Sequence, residues 1–214
     1  MNPKRFRRIR SVLARRQPDL TVLMERVNKT HNFSAILRNC DAVGVLRAHA
    51  VVPEKGIDLP HHTSAGTTRW VGVQVHPTVQ AAVDHLQKEG FMVLAAHPTE
   101  AASDYREVDL TRPVALMVGA ELDGISREGL ALADETVTIP MAGMVRSLNV
   151  SVATALLLFE AFRQRQAADM YRESKLSEED FTHFLFEWAY PDIAKVLKKR
   201  GDPYPPLSDD GEIL

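Results

Sequence analysis

The chain has 214 residues, 45% of them hydrophobic, with 26 Lys or Arg against 28 Asp or Glu and a formal net charge of -2. That size and balance exclude wholesale disorder and a collagen-like repeat, and they allow one domain with appendages. One cysteine, Cys40, excludes an internal disulfide scaffold, and the longest apolar runs, such as 150–159, are about half of what a membrane span needs.

The first 18 residues hold Lys4, Arg5, Arg7, Arg8, Arg10, Arg15 and Arg16 and no acid, a local charge of +7. The remainder then has 19 cations against 28 acids, a net -9. Phe6, Ile9, Val12 and Leu13 recur among these cations at roughly helical spacing, which predicts an amphipathic basic helix that docks by its apolar side and turns its charges outward. No apolar signal-peptide stretch precedes it, so the cytoplasm is the expected compartment. Lys195, Lys198, Lys199 and Arg200 form a second basic run near the other end. Two basic ends on an acidic body fit a nucleic acid gripped by appendages, with a solvated terminal helix as the plain alternative.

Between the ends, apolar runs alternate with helical periodicity. Strands are predicted at 20–27, 48–52, 71–75, 92–96, 114–118 and 137–139, and helices at 33–43, 79–89, 127–133 and 150–164. The strand runs are apolar throughout rather than alternating, as in a parallel sheet covered on both faces. This places one α/β domain at about 19–165, after a basic N-terminal helix (1–18) and before a helical extension with an acidic tail (166–214). In the extension, short helices are predicted at 181–190 and 193–199 on either side of Pro191.

Ligands of open parallel sheets bind beyond the carboxyl ends of the strands, so the loops after strands are the place to look. Neither G-x-G-x-x-G nor a P-loop occurs, which argues against dinucleotide enzymes and P-loop NTPases. No G-x-S-x-G elbow is present, and His61-His62 lacks the partners of a metal site, so no metal is expected. Three loops stand out. In the first, Asn32 is placed to cap a helix carrying Ser34, Arg38 and Asn39, with Arg38 set among Ile36, Leu37, Cys40 and Val43. An arginine in such company needs an anionic partner, either a ligand or an internal ion pair. In the second, Gly119 and Gly124 allow tight turns beside Glu121. The third runs from Ile139 through Met141, Gly143 and Arg146 to Ser147, Asn149 and Ser151, crowding polar residues onto the start of a small-residue helix.

Together the segments 32–44, 119–125 and 139–153, the last holding Ser147-Leu-Asn149-Val-Ser151-Val-Ala153, resemble the three motifs of the SPOUT-class RNA 2′-O-ribose methyltransferases, and more narrowly the TrmH family acting on tRNA. The resemblance implies an α/β fold with a C-terminal trefoil knot, a homodimer, and S-adenosylmethionine as methyl donor without a metal. It also implies that Arg38, Asn32, Glu121, Ser147 and Asn149 form the catalytic set, with Arg38 acting on the ribose 2′-hydroxyl. The main chain near His97, Gly119, Ile139, Met141 and Leu148 would hold the cofactor. The basic N-terminal helix and the C-terminal extension look like those of the members that modify guanosine 18, so Arg5, Arg7, Arg8, Arg10, Arg15, Arg16, Lys198 and Lys199 are the expected tRNA contacts. Another tRNA or rRNA ribose is the alternative within the class. A non-catalytic RNA-binding module is the alternative outside it, against which the complete Arg38, Glu121, Ser147 and Asn149 set argues.

Overall fold

The structure, a computed structural model, describes residues 1–52, 69–99 and 101–214. The described chain separates into two compact units, Pro18–Asp169 and the joined ends Met1–Gln17 with Met170–Leu214.

The central unit is a seven-stranded, all-parallel sheet. Its strands are β1 (Leu20–Glu25), β2 (Arg47–Val51), β3 (Gly72–His76), β4 (Met92–Ala96), β5 (Ser103–Asp104), β6 (Val114–Val118) and β7 (Glu135–Thr138), in spatial order β3-β2-β1-β6-β4-β7-β5. Its helices are α2 (Thr30–Val43), α3 (Val79–Lys88), α4 (Arg127–Leu132) and α5 (Val150–Ala167).

The unalternating strands are explained by two cores. Leu20, Val22 and Met24 of β1, with Val114, Leu116 and Val118 of β6, pack against Phe33, Ile36, Leu37 and Cys40 of α2 and Leu157, Leu158 and Ala161 of α5. The intervening Leu23, Ala115 and Met117 face the other way, toward Val79, Ala82, Val83 and Leu86 of α3. Successive strand residues point to opposite faces, so a strand that is apolar at every position has apolar neighbours on both. Each large side chain buried this way contributes about 1.5–3 kcal/mol. Arg165 of α5, fully buried, braces the amino ends of the two central strands: its guanidinium donates to Asp19 Oδ1 at 2.5 Å and to the carbonyls of Asp19, Leu110 and Arg112 at 2.8–3.0 Å.

Most predicted elements recur with boundaries shifted by a few residues. The edge strand β5 was not predicted, because two residues carry no periodicity. β7 starts at Glu135, two residues before the predicted run, and β1 stops at Glu25 because Arg26 turns into the left-handed region (φ 53°).

In the terminal unit, α1 (Pro3–Leu13) is capped by Asn2, whose Oδ1 accepts from Lys4 N at 2.9 Å, and buries Phe6, Ile9 and Leu13. It packs on α6 (Glu178–Ala189), which Ser177 caps. Pro191 opens α7 (Pro191–Arg200) instead of merely separating two helices, since a proline at the first turn forfeits no intrahelical hydrogen bond. The acidic tail is held down: Tyr190 donates its hydroxyl to Gly211 O at 2.6 Å, and Leu207 bridges Ile213.

Candidate active site

The carboxyl ends of β4, β6 and β7 open onto a cleft of about 280 Å³. His97, Gly119, Ile139, Met141 and Leu148, the five expected cofactor positions, all line it, as do Glu121 and Ser147. Its floor is apolar, with Val118, Val137, Val150, Ala153 and Leu157, while Thr138, Asp123 and Arg146 bring polar groups to the rim. An apolar bed with a few convergent polar groups suits a small ligand that has both a flat ring and a charged end.

The wall made by residues 119–125 owes its shape to two glycines. Ala120 and Gly124 exchange backbone hydrogen bonds of 3.1 and 2.9 Å, folding the loop back on itself. At the crossing, a Cβ on Gly119 would lie 2.0 Å from the carbonyl carbon of Gly124 and 2.2 Å from Ile125 N. Gly124 turns the chain at φ 67°, which glycine adopts without penalty. Ile125 then seats the loop in the α3-side core, and Ser126 caps α4 by accepting from Gly129 N at 2.9 Å.

Beside the cleft, a polar chain ties the three loops together. Asn149 caps α5, its Oδ1 accepting from Ser151 N at 2.9 Å and Ser151 Oγ at 2.6 Å. Its amide nitrogen faces outward and donates to Asn32 Oδ1 at 3.1 Å and, more weakly, to Glu121 Oε1 at 3.4 Å. Glu121 also pairs with Lys29, whose ammonium holds the carboxyl below the usual carboxylate range, with His31 and Asn149 adding to the effect. A second strut runs from Asn39 Nδ2 to Ser151 O at 3.0 Å. The cap that orients Asn149 therefore fixes a link among all three motifs.

Two expectations for the first loop change. Asn32 does not cap α2: the helix begins at Thr30 after Lys29, and Asn32 sits inside its first turn, buried, with its side chain committed to Asn149. Arg38 is not embedded. It is exposed, its guanidinium forms no ion pair or hydrogen bond with any described residue, and it does not line the cleft. The buried face of α2 is Phe33, Ile36, Leu37, Cys40 and Val43, and a helix advances about 100° per residue, which carries Arg38 clear of Leu37. Among the described residues, then, no internal salt bridge accounts for Arg38.

In the terminal unit, Arg5, Arg7, Arg8, Arg10, Arg15, Lys198 and Lys199 are exposed, Arg10 near Asp209 at 3.8 Å and Lys198 near Glu187 at 3.6 Å. Arg16 departs from the expectation. It is 1% exposed with its guanidinium 4.9 Å from the Trp188 ring, a packing residue in this unit rather than a free cation. Sequence reasoning gave no role to Lys29, three residues before Asn32, or to Arg146 of the third loop. Among the described residues no group of three His, Cys, Asp or Glu side chains is arranged to hold a metal ion, and His61-His62 lies outside the described residues.

Comparison with known proteins matches residues 19–159 to the SpoU rRNA Methylase family and residues 163–214 to the C-terminal region described for SpoU rRNA methylases. A tRNA (guanosine(18)-2'-O)-methyltransferase of Escherichia coli strain K12 is 52% identical over 215 residues, covering 100% of this chain and 94% of that protein. The crystal structure of the Aquifex aeolicus TrmH/SpoU tRNA modifying enzyme superposes with a TM-score of 0.83 at 42% identity, covering 89% of this chain and 97% of that one. The SpoU methyltransferase AviRb from Streptomyces viridochromogenes, solved with AdoMet, matches with a TM-score of 0.63 at 26% identity over 71% of this chain and 62% of that one.

Proposed function

The chain belongs to the SpoU rRNA methylase family, and we propose that it transfers a methyl group from S-adenosylmethionine to the ribose 2′-hydroxyl of guanosine 18 in tRNA. The observation that supports this best is that the second and third motifs line one cleft while Asn149 joins Asn32 of the first motif to Glu121 beside it. The Escherichia coli relative, which matches over the full chain with the terminal helices included and is named for guanosine 18, favours that position over other riboses.

The cleft fits the cofactor: its floor is apolar, and the close backbone crossing at Gly119, which admits no Cβ, fixes the course of the loop that walls it. Gly119, Ile139, Met141 and Leu148 would hold the adenosyl part and Asp123, Thr138 and His97 its polar groups. The bound cofactor supplies an activated methyl on a sulfonium, so the chain's own work is chiefly positioning. Arg38, with no partner among the described residues, would take a phosphate of the RNA and stabilise the oxygen that loses its proton. A guanidinium stays protonated and is a poor base, so its part is orientation and charge rather than proton removal.

Two observations support a homodimer. Arg38 stands outside the cleft's lining, which fits a site completed by a second protomer. Val152, Leu156 and Phe159 form a stripe on α5 that is 38–49% exposed, at the i, i+4, i+7 spacing of a helix face, and a second copy would cover it. The family's trefoil knot belongs to this reading, drawn through the loops at 119–125 and 139–149. In the terminal unit, Arg5, Arg7, Arg8, Arg10, Arg15, Lys198 and Lys199 offer cations for tRNA phosphates. No described helix is long and apolar enough to cross a membrane, and tRNA as substrate fits the cytoplasm.

Incubating the protein with tRNA and labelled S-adenosylmethionine, then mapping the digested RNA by mass, tests this directly. The expected product is a single methylated guanosine at position 18. In single turnover, Arg38→Lys should lower the rate by about two orders of magnitude with an unchanged melting temperature. Methylation elsewhere, or a folded Arg38→Lys protein at parental rate, would overturn the assignment.

A further inference from the structure

Glu25 closes β1 as a carboxylate in the interior, its side chain 3% exposed. Such burial needs partners. Oε1 lies 3.5 Å from the Arg26 guanidinium, and Oε2 accepts a hydrogen bond of 2.8 Å from the backbone N–H of Ser126. Ser126 is the residue at which the Gly119–Ile125 wall of the cleft ends and α4 begins. The other end of that wall is held by the same strand, where Met24 lies in register with Val118. Consecutive residues of β1 thus grip both ends of the glycine loop, one through the sheet ladder and one through a carboxylate.

The surroundings leave the carboxylate little freedom. Gly129, buried under it, could accept a Cβ only 2.9 Å from Oε2 and 2.9 Å from Ile125 Cγ2. Arg26, φ 53°, donates its own N–H to Val51 O at 2.9 Å, so the chain is anchored to β2 directly after the carboxylate. Beyond it lies the segment that supplies Lys29, Asn32 and Arg38. Glu25 is therefore a junction between the strand leading into the Arg38 helix and the loop lining the cofactor cleft.

We propose that Glu25 is a positioning residue of the cofactor site: through Ser126 N–H it fixes the carboxyl-terminal end of the Gly119–Ile125 loop, and so the cleft wall. It touches neither substrate nor cofactor, so its effect should fall on cofactor affinity rather than on tRNA affinity. The inference rests on the S-adenosylmethionine reading above.

The test measures S-adenosylmethionine binding by calorimetry, tRNA binding by gel shift and thermal unfolding, on the full-length parent, Glu25→Ala, Glu25→Gln and Gly129→Ala. Glu25→Ala leaves Ser126 N–H without its acceptor and should weaken cofactor binding by about tenfold or more, a charged hydrogen bond's worth, with tRNA affinity within about twofold of the parent. Glu25→Gln keeps an acceptor oxygen and should recover most of that loss. Gly129→Ala keeps the carboxylate but crowds it, and should weaken cofactor binding in the same direction even where Glu25→Ala does not fold. A folded Glu25→Ala with parental cofactor affinity overturns the inference, as does a folded Gly129→Ala with parental affinity when Glu25→Ala does not fold. Equal losses of cofactor and tRNA affinity overturn it too, because they describe a general brace. A parent that does not bind S-adenosylmethionine refutes the underlying reading instead.

Discussion

Replacing Gly119 by alanine adds one methyl group where the chain crosses itself. The new Cβ would lie 2.0 Å from the carbonyl carbon of Gly124 and 2.2 Å from its oxygen. Carbon atoms rest at about 3.5–4.0 Å, so the crossing must open by roughly 1.5 Å. Every atom met is backbone, and no rotamer change can relieve the contact. One strand of the crossing is fixed in the sheet by the register of Met24 with Val118, which leaves the 120–124 turn to move. Its two hydrogen bonds, Ala120 N to Gly124 O and Gly124 N to Ala120 O, would be lost, at about 0.5–1.5 kcal/mol each. The expected loss is about 1–3 kcal/mol, or roughly 2–12 °C in melting temperature for a domain of this size.

The effect on function should be larger. A wall displaced by more than about 1 Å costs on the order of a hundredfold in a positioned reaction. Calorimetric titration with S-adenosylmethionine, below the variant's unfolding temperature, should show affinity reduced by about tenfold or more, and single-turnover methylation should fall further. Gly124→Ala is the control. No described residue lies within 4 Å of its would-be Cβ, so its cost is only that of a left-handed conformation, about 1–2 kcal/mol. A Gly119→Ala protein with parental cofactor affinity refutes this reasoning, and so does a larger binding defect in Gly124→Ala than in Gly119→Ala.

Two further outcomes follow from other parts of the fold. Leu156→Glu with Phe159→Glu places charges in the exposed α5 stripe; sedimentation should show monomers and methylation should be lost while the fold survives, since truncated anchors of this kind cost about 2 kcal/mol or more of association, and an active monomer refutes the dimer requirement. Burial first, then the neighbouring His76, His85 and Arg47, pushes His49 from the usual 6.5 to about 3, and burial likewise lowers His76, which has Glu89 as its one raising neighbour. The unfolded chain then binds protons that the native one refuses, so stability should fall as pH drops below about 6.5, by up to about 1.4 kcal/mol per unit for each histidine, before most carboxylates titrate. Thermal unfolding at a series of pH values measures this, and His49→Gln should flatten the profile; a parental protein with no slope between about pH 6.5 and 5 contradicts it.

The strands were legible because a sheet covered on both faces demands apolar side chains at consecutive positions, as 114–118 shows: Val114, Leu116 and Val118 serve one core, Ala115 and Met117 the other. The cleft was legible for a related reason. The loops at 119–125 and 139–149 follow β6 and β7, which is where an open parallel sheet leaves room for a ligand, while the cofactor positions within them came from the family resemblance. The misreadings were local. Asn32 has a capping residue's chemistry, but α2 starts two residues earlier and a donor in the third loop, the Asn149 amide, claims its side chain. Arg38 was judged by its neighbours in sequence, whereas on a helix the neighbours that matter are three and four residues away. Arg16 follows the end of α1, so the outward-facing period of that helix no longer governs it, and Trp188 draws it in. Lys29 and Glu25 could not be read at all from their surroundings in sequence. Each looks like an ordinary charge near a strand end, and each is defined by a partner about a hundred residues away: Glu121 for Lys29 and Ser126 for Glu25. Motifs mark the residues that face a ligand, but the residues that hold those motifs against one another emerge only when the chain is closed.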